Sequence, residues 1–244
     1  MTGVSAILRR ELKSYFLTPV AYVFIVIFLI LSNALTFYLG GFYERGQADL
    51  TPFFNFHPWL YLFLAPALSM RLWAEERKSG SIELLMTLPI EPWQAVIGKF
   101  LAAWLFTAIA LALTVPIWIT VNYLGDPDNG VVFAAYLGSL LMAGGFLAVG
   151  SCISAATKNQ VIAFILSVSA CLVLLLASFA LVLDVFSLWA PQVLVDTIAS
   201  LSFLTHFENI SKGVIDLRDL VYFGLLIAAM LYANTIVLEL KKAD

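Results

Sequence analysis

The chain predicts an all-α polytopic membrane protein, and three observations carry that prediction. Of its 244 residues, 62% are apolar, 14% aromatic and only 12% charged, about half the charge of an average soluble domain. Six charge-free runs of at least eighteen residues follow one another, at 14–43, 50–70, 100–125, 129–157, 159–183 and 220–238. Each is long enough for a helix crossing a hydrocarbon core about 30 Å thick, and far longer than the ~10 residues of a barrel strand. The third observation is that Lys and Arg fall unevenly between alternate connections. A soluble globule, a disordered tail and, at a net charge of −3, a nucleic-acid binder are excluded.

Helices satisfy their backbone hydrogen bonds internally, so the runs predict six spans at about 20–40, 54–74, 97–122, 131–156, 160–183 and 219–239 in a single membrane domain covering 1–244. One side collects ten cations: Arg9, Arg10, Lys13, Arg71, Arg77, Lys78, Lys99, Lys158, Lys241 and Lys242. The other receives Arg45, Lys212 and Arg218, together with nine acids. That bias puts both termini in the cytoplasm.

The first element, 1–18, is an amphipathic helix. Val4, Ile7, Leu8, Leu12, Tyr15 and Phe16 recur at helical spacing, and Arg9, Arg10, Lys13 and Ser14 take the other face. Such a helix is expected in the cytoplasmic interface with its cations toward lipid headgroups, either as a plain anchor or as a working part. Thr18-Pro19 breaks it. The cations ahead of 19–31 faintly resemble a cleavable signal peptide, but apolar character continues through Leu35, Phe37 and Leu39, so the first span is expected to stay.

The loop 75–95 is the most informative stretch. Glu75 to Lys78 ends the second span in water, Ser79-Gly80-Ser81 supplies helix-starting residues, and Glu83 sits in the first turn, where the dipole favours an acid. Ile82, Leu85 and Met86 share a face and Pro89 ends the helix. A helix of two turns at 82–88 cannot stand alone, so it must pack on its own bundle or in a partner's groove. On the opposite side, 185–218 holds two apolar stretches too short to span, 185–195 and 198–207, interrupted by Pro191 and Asp196. They predict re-entrant or interfacial helices that line a route or cap the bundle.

Chemical motifs are sparse. Gly145 to Ser151 has glycine spacing without the lysine of a phosphate cradle, and no HExxH, GxSxG or Cys/His cluster occurs. Cys152 and Cys171 read as small core hydrophobes. His57 and His206 read as structural or solvated. Gly144/Ala148 and Gly150/Ser154 give small-residue spacings suited to tight packing. Trp59, Trp73, Trp104, Trp118 and Trp189 suit an interfacial belt. All acids fall at span ends, which counts against an ion-coupled carrier.

The stretch Glu75-Glu76-Arg77-Lys78-Ser79-Gly80-Ser81-Ile82-Glu83-Leu84-Leu85-Met86-Thr87-Leu88-Pro89 resembles the E-E-[KR]-x-x-G-[ST]-[IL]-E-x-L-L-x-[TS]-x-P motif of ABC-2-type permeases, the membrane subunits of type V ABC transporters. The likeness extends to Arg10-Glu11-Leu12-Lys13, to Gly98-Lys99-Phe100, and to Thr205-His206-Phe207-Glu208 with Gly213-Val214-Ile215-Asp216. Thr51-Pro52-Phe53-Phe54 and Asn159-Gln160-Val161-Ile162 look most like gliding-motility-associated permeases.

The resemblance implies a non-catalytic subunit of the bacterial inner membrane, forming a translocation path as a dimer with itself or a related permease. A separate cytoplasmic ABC ATPase dimer would bind ATP and Mg, with no cofactor or metal in this chain, and an extracytoplasmic auxiliary subunit is compatible with it. Helix 82–88 would be the coupling helix, with Glu76, Arg77, Gly80, Glu83, Leu84, Leu85, Thr87 and Pro89 as contact or positioning residues. Arg9, Arg10 and Lys13 would belong to a connecting helix. Asp184, Trp189, His206 and Glu208 would be outer-gate residues. The alternatives are a membrane scaffold or force-transmitting subunit that docks an ATPase without transport and, less favoured, a secondary carrier.

Overall fold

A computed structural model of the protein describes residues 3–87 and 89–241. The side chains of Leu84, Leu85 and Met86 lie outside it, as does Leu88 of the predicted 82–88 helix. Among the described residues every regular element is helical. In chain order they are α1 (Gly3–Leu17), α2 (Pro19–Ala34, continued by a π turn at Leu35–Leu39), α3 (Phe42–Arg45), α4 (Thr51–Asn55), α5 (His57–Ser69), α6 (Arg71–Ser79), α7 (Ser81–Thr87) and α8 (Pro92–Ala112). Then come α9 (Val115–Leu124), α10 (Asn129–Ala156), α11 (Gln160–Leu176), α12 (Ala180–Ser187), α13 (Gln192–Ser200), α14 (Phe203–Ser211) and α15 (Leu217–Leu240).

Among the described residues four stretches are long and apolar enough to cross a membrane: Pro19–Leu39, Pro92–Leu124, Asn129–Ala156 and Leu217–Leu240. A fifth is gained if α11 and α12, bent by 75°, are one span. Helix length alone thus does not return the six predicted spans, for two physical reasons. The second predicted span, 54–74, is divided between α4, α5 and α6, with breaks at Phe56 and Met70. Below the second break, the N–H groups of Trp73 and Ala74 donate to Ser154 Oγ of α10, at 3.2 and 3.1 Å, and Ser154 donates to the Met70 carbonyl at 2.8 Å. The fifth predicted span, 160–183, stops at Leu176. Ser202 Oγ takes the carbonyl of Leu175 there at 3.1 Å and meets Ser178 Oγ at 2.9 Å, so the C-terminal turn is satisfied from outside. The outer segment holds three short helices, α12 to α14, instead of the two predicted stretches. The second stretch is divided at Leu201–Ser202, where Ser202 caps α14.

The core is organised around α10, which packs on α5, α8, α11, α14 and α15. Its small residues permit close approach. A Cβ on Gly138 would lie 2.8 Å from Ile210, and one on Gly145 2.8 Å from Phe203. Two ends can be told apart by contact. At the basic end, Arg77 Nη1 donates to the Ala155 carbonyl at 2.9 Å and Lys241 Nζ to that of Ala156, which puts cations on the carbonyls that end α10. At the acidic end lie Asp128, which caps α10, and the 177–216 segment.

The N-terminal helix, expected in the cytoplasmic interface, packs along the start of α8. Gly3 meets Gln94, Ile7 meets Gly98 and Tyr15 stacks on Phe106 with centroids 5.2 Å apart, so α1 and α8 advance side by side in the same direction. The apolar face of α1 is spent on α8, and Arg9, Arg10 and Lys13 are exposed on the other face. Trp73 likewise leaves the predicted belt: it is fully buried, with Nε1 donating to Ser151 Oγ at 3.2 Å.

Candidate functional site: a charged clasp and a cavity at the acidic end

Two constructions stand out, one at each end. At the basic end Lys99, immediately ahead of the charge-free run 100–125, is 2% exposed. Its ammonium donates to Glu76 Oε1 of α6 at 2.8 Å and to Glu11 Oε1 of α1 at 3.2 Å. Arg10 Nη2 stands 2.6 Å from Glu11 Oε1 and 3.6 Å from Glu76 Oε1. The ammonium also lies 5.1 Å from the centre of the Trp73 ring, whose face attracts cations. Two cations and two carboxylates cancel, so three elements are joined at no net charge. Burial pushes the Glu11 carboxyl upward, but Lys99 and Arg10 more than offset it, and the group ends below its ordinary 4.5.

Beside this clasp the chain turns into α7. Gly80 adopts φ +75°, a left-handed conformation that costs a side-chain-bearing residue but not glycine. On α7 Ile82 packs on the core, while Glu83 and Thr87 are exposed, as are Gly80 and Pro89 on either side. Glu76 and Arg77 point instead into their own bundle, toward Lys99 and Ala155. Of the predicted coupling set, Glu76 and Arg77 thus face the bundle, while Gly80, Glu83, Thr87 and Pro89 are exposed. Leu84 and Leu85 belong to the set, but their side chains lie outside the described residues.

At the acidic end a cavity of about 770 Å³ opens between α4, the start of α5, the α11–α12 break and α14. Phe54, Trp59, Phe179 and Phe207 form its apolar wall, and Asn55, Ser211, Glu208 and Lys212 supply polar groups. Glu208 and Lys212 pair across one turn at 3.6 Å. Of the four predicted gate residues, Glu208 lines this cavity and His206 sits behind its wall on α14. Asp184 and Trp189 are exposed at the α12 side, and neither contributes to the lining. His57 is fully buried, with Nδ1 2.8 Å from Ser139 Oγ among Phe28, Phe53 and Phe54. Among the described residues no three His, Cys, Asp or Glu side chains gather to hold a metal ion.

Glu11 and Lys99 carry the clasp without belonging to the site residues expected from the sequence, although each has a signal there: one acid within a basic helix, and a lone cation immediately ahead of a charge-free run.

The comparisons with known proteins bear on what these constructions serve. No curated protein matches the chain significantly. The family model described as ABC-2 family transporter protein matches residues 5–239, which takes in both the clasp and the cavity at the acidic end. With that match over nearly its whole length and several helices fit to cross a bilayer, the chain belongs to the ABC-2 family of transporter proteins, as a multi-pass membrane permease component of an ABC transporter.

Proposed function

We propose that the chain crosses the inner membrane six times with both termini in the cytoplasm, and that two copies, or this chain and a related permease, form a translocation path driven by the ATPase through α7. The observation that carries this reading is the placement of α7. A two-turn helix with exposed Glu83 and Thr87 is joined by left-handed Gly80 to α6, whose next residues grip α8 and α10 through Glu76 and Arg77. A push on α7 is handed to α6 and from there to α1, α8 and α10. The outer cavity is the far end of the path, with an aromatic wall and a polar rim suited to an amphiphile. The likeness of Thr51–Phe54 and 159–164 to gliding-motility-associated permeases makes force transmission the natural variant of the same machine.

The test is purification from the native membrane in mild detergent followed by mass spectrometry. Recovery of a soluble ATPase that is lost in Glu83→Lys and in Leu85→Asp, with the bundle still folded, is expected. Full ATPase association and transport in both variants would refute the coupling role of α7.

A further inference from the structure

We infer that His206 and Asp219 form a buried pair that holds one extra proton, and that this pair is a positioning device fastening the cavity wall α14 to the last long helix. His206 is 4% exposed and Asp219 1%. The two meet at 2.5 Å between Nδ1 and Oδ1. The other ring nitrogen, Nε2, lies 2.9 Å from the carbonyl oxygen of Ser200 at the end of α13. A carbonyl only accepts, so Nε2 carries a hydrogen. A neutral imidazole would then present a bare Nδ1 lone pair to a carboxylate oxygen at hydrogen-bond distance, which is repulsive. The contact is attractive only with a second proton between the two atoms, whether it is written on the ring or on the carboxyl. Either way the pair is neutral overall, which suits a site closed to water.

The surroundings bear out the burial. Tyr222 stacks on the imidazole with centroids 3.9 Å apart and donates its hydroxyl to the Leu201 carbonyl at 2.6 Å. Asp219 Oδ2 has no partner among the described residues. The ionisable groups on the elements packed around the pair are engaged elsewhere or face outward. Asp196 of α13 accepts from Gln192, Glu208 of α14 pairs with Lys212, Asp216 caps α15, and Arg218 is exposed. From α10, Tyr136 meets Thr114, and Cys152 sits at the basic end; Cys171 of α11 is buried with no charge beside it. The proton therefore links α13, α14 and α15 at one point. Its position matters because α14 presents Phe207, Glu208 and Ser211 to the cavity on one face and His206 to the pair on the other. Without that proton a lone pair would face a carboxylate oxygen, and the wall would lose its tie to the last helix. This inference stands on the contacts of the outer segment alone and holds whether or not α7 meets an ATPase.

The chain has two histidines, which makes the test direct. The full-length protein, labelled with ¹⁵N-histidine and held in lipid nanodiscs, is examined by NMR at neutral pH, with His57→Gln assigning the signals. His206 is expected to show Nε2 protonated and a proton bound at or shared by Nδ1. A ring whose Nδ1 neither bears a proton nor accepts one overturns the proposal. Amide hydrogen exchange over 192–211 supplies the second readout. In Asp219→Ala, which empties the far side of the contact, protection at neutral pH, corrected for intrinsic exchange, should fall by about tenfold or more. In Asp219→Asn, whose amide donates to a neutral ring without any extra proton, protection should stay close to that of the wild type. Unchanged protection in Asp219→Ala, or an equal loss in both variants, also overturns the proposal.

Discussion

Lys99 is the residue on which most depends at the basic end, because it neutralises two carboxylates that are themselves largely withdrawn from water. Lys99→Ala leaves Glu11 and Glu76 facing each other with only the exposed Arg10 between them. Removing one partner of a buried ion pair costs about 3–5 kcal/mol, and the cost should appear as a lower unfolding temperature in nanodiscs and early proteolysis within α1. Glu11 gives the pH response its sign. Its carboxyl is held below 4.5, so its contribution is fully present above that value and is lost as pH falls through the lowered one. A cysteine pair replacing Gly3 and Gln94 should therefore cross-link readily at neutral pH and progressively less after equilibration at acid pH. Glu11→Gln should abolish that dependence.

Among the elements, α1, α7 and the α5–α6 break each depend on a small residue or a hydroxyl. A Cβ on Gly98 would lie 2.9 Å from Ile7 and 3.1 Å from the Val4 carbonyl, so Gly98→Leu should lift α1 from α8 at about 1–3 kcal/mol, read as loss of the same cross-link. Gly80 has open space around it, and its φ of +75° is the whole constraint. Gly80→Val should cost about 1 kcal/mol or more locally and redirect α7, weakening ATPase recovery without unfolding the bundle. Ser154→Ala removes the hydroxyl that bonds Trp73, Ala74 and Met70, and thermal unfolding should show a loss of about 1–3 kcal/mol. The periodicity of 4–16, the glycine at 80 and the break after 176 differ in how far sequence exposes them. The amphipathic stripe of α1 was plain, but a stripe fits lipid and protein alike, so its partner α8 was not legible. Gly80 was legible because glycine at a helix junction has few other uses. The stop at Leu176 was not, since the run stays apolar and the carbonyl that ends the helix is satisfied by Ser202, twenty-seven residues on.

For the whole molecule, α10 is the element in contact with most of the others, and it is capped by Asp128 at one end and held by Arg77 and Lys241 at the other. Its amides should exchange most slowly of all, and those of α12, which has no buried residue, among the fastest. Membrane character and the α7 motif were legible because they rest on composition and on local residue order. The pairings Lys99–Glu11 and His206–Asp219 were not, because they join positions eighty-eight and thirteen residues apart that no local pattern relates. The parallel pairing of α1 with α8 has a mechanical consequence. Fifteen residues of helix make a rod about 22 Å long laid along the start of another. Two rods pinned at Ile7–Gly98, at Lys99 and at Tyr15–Phe106 resist bending far better than one. A displacement arriving beyond Pro92 is then carried as rotation of a stiff strut and is not absorbed as curvature at its foot.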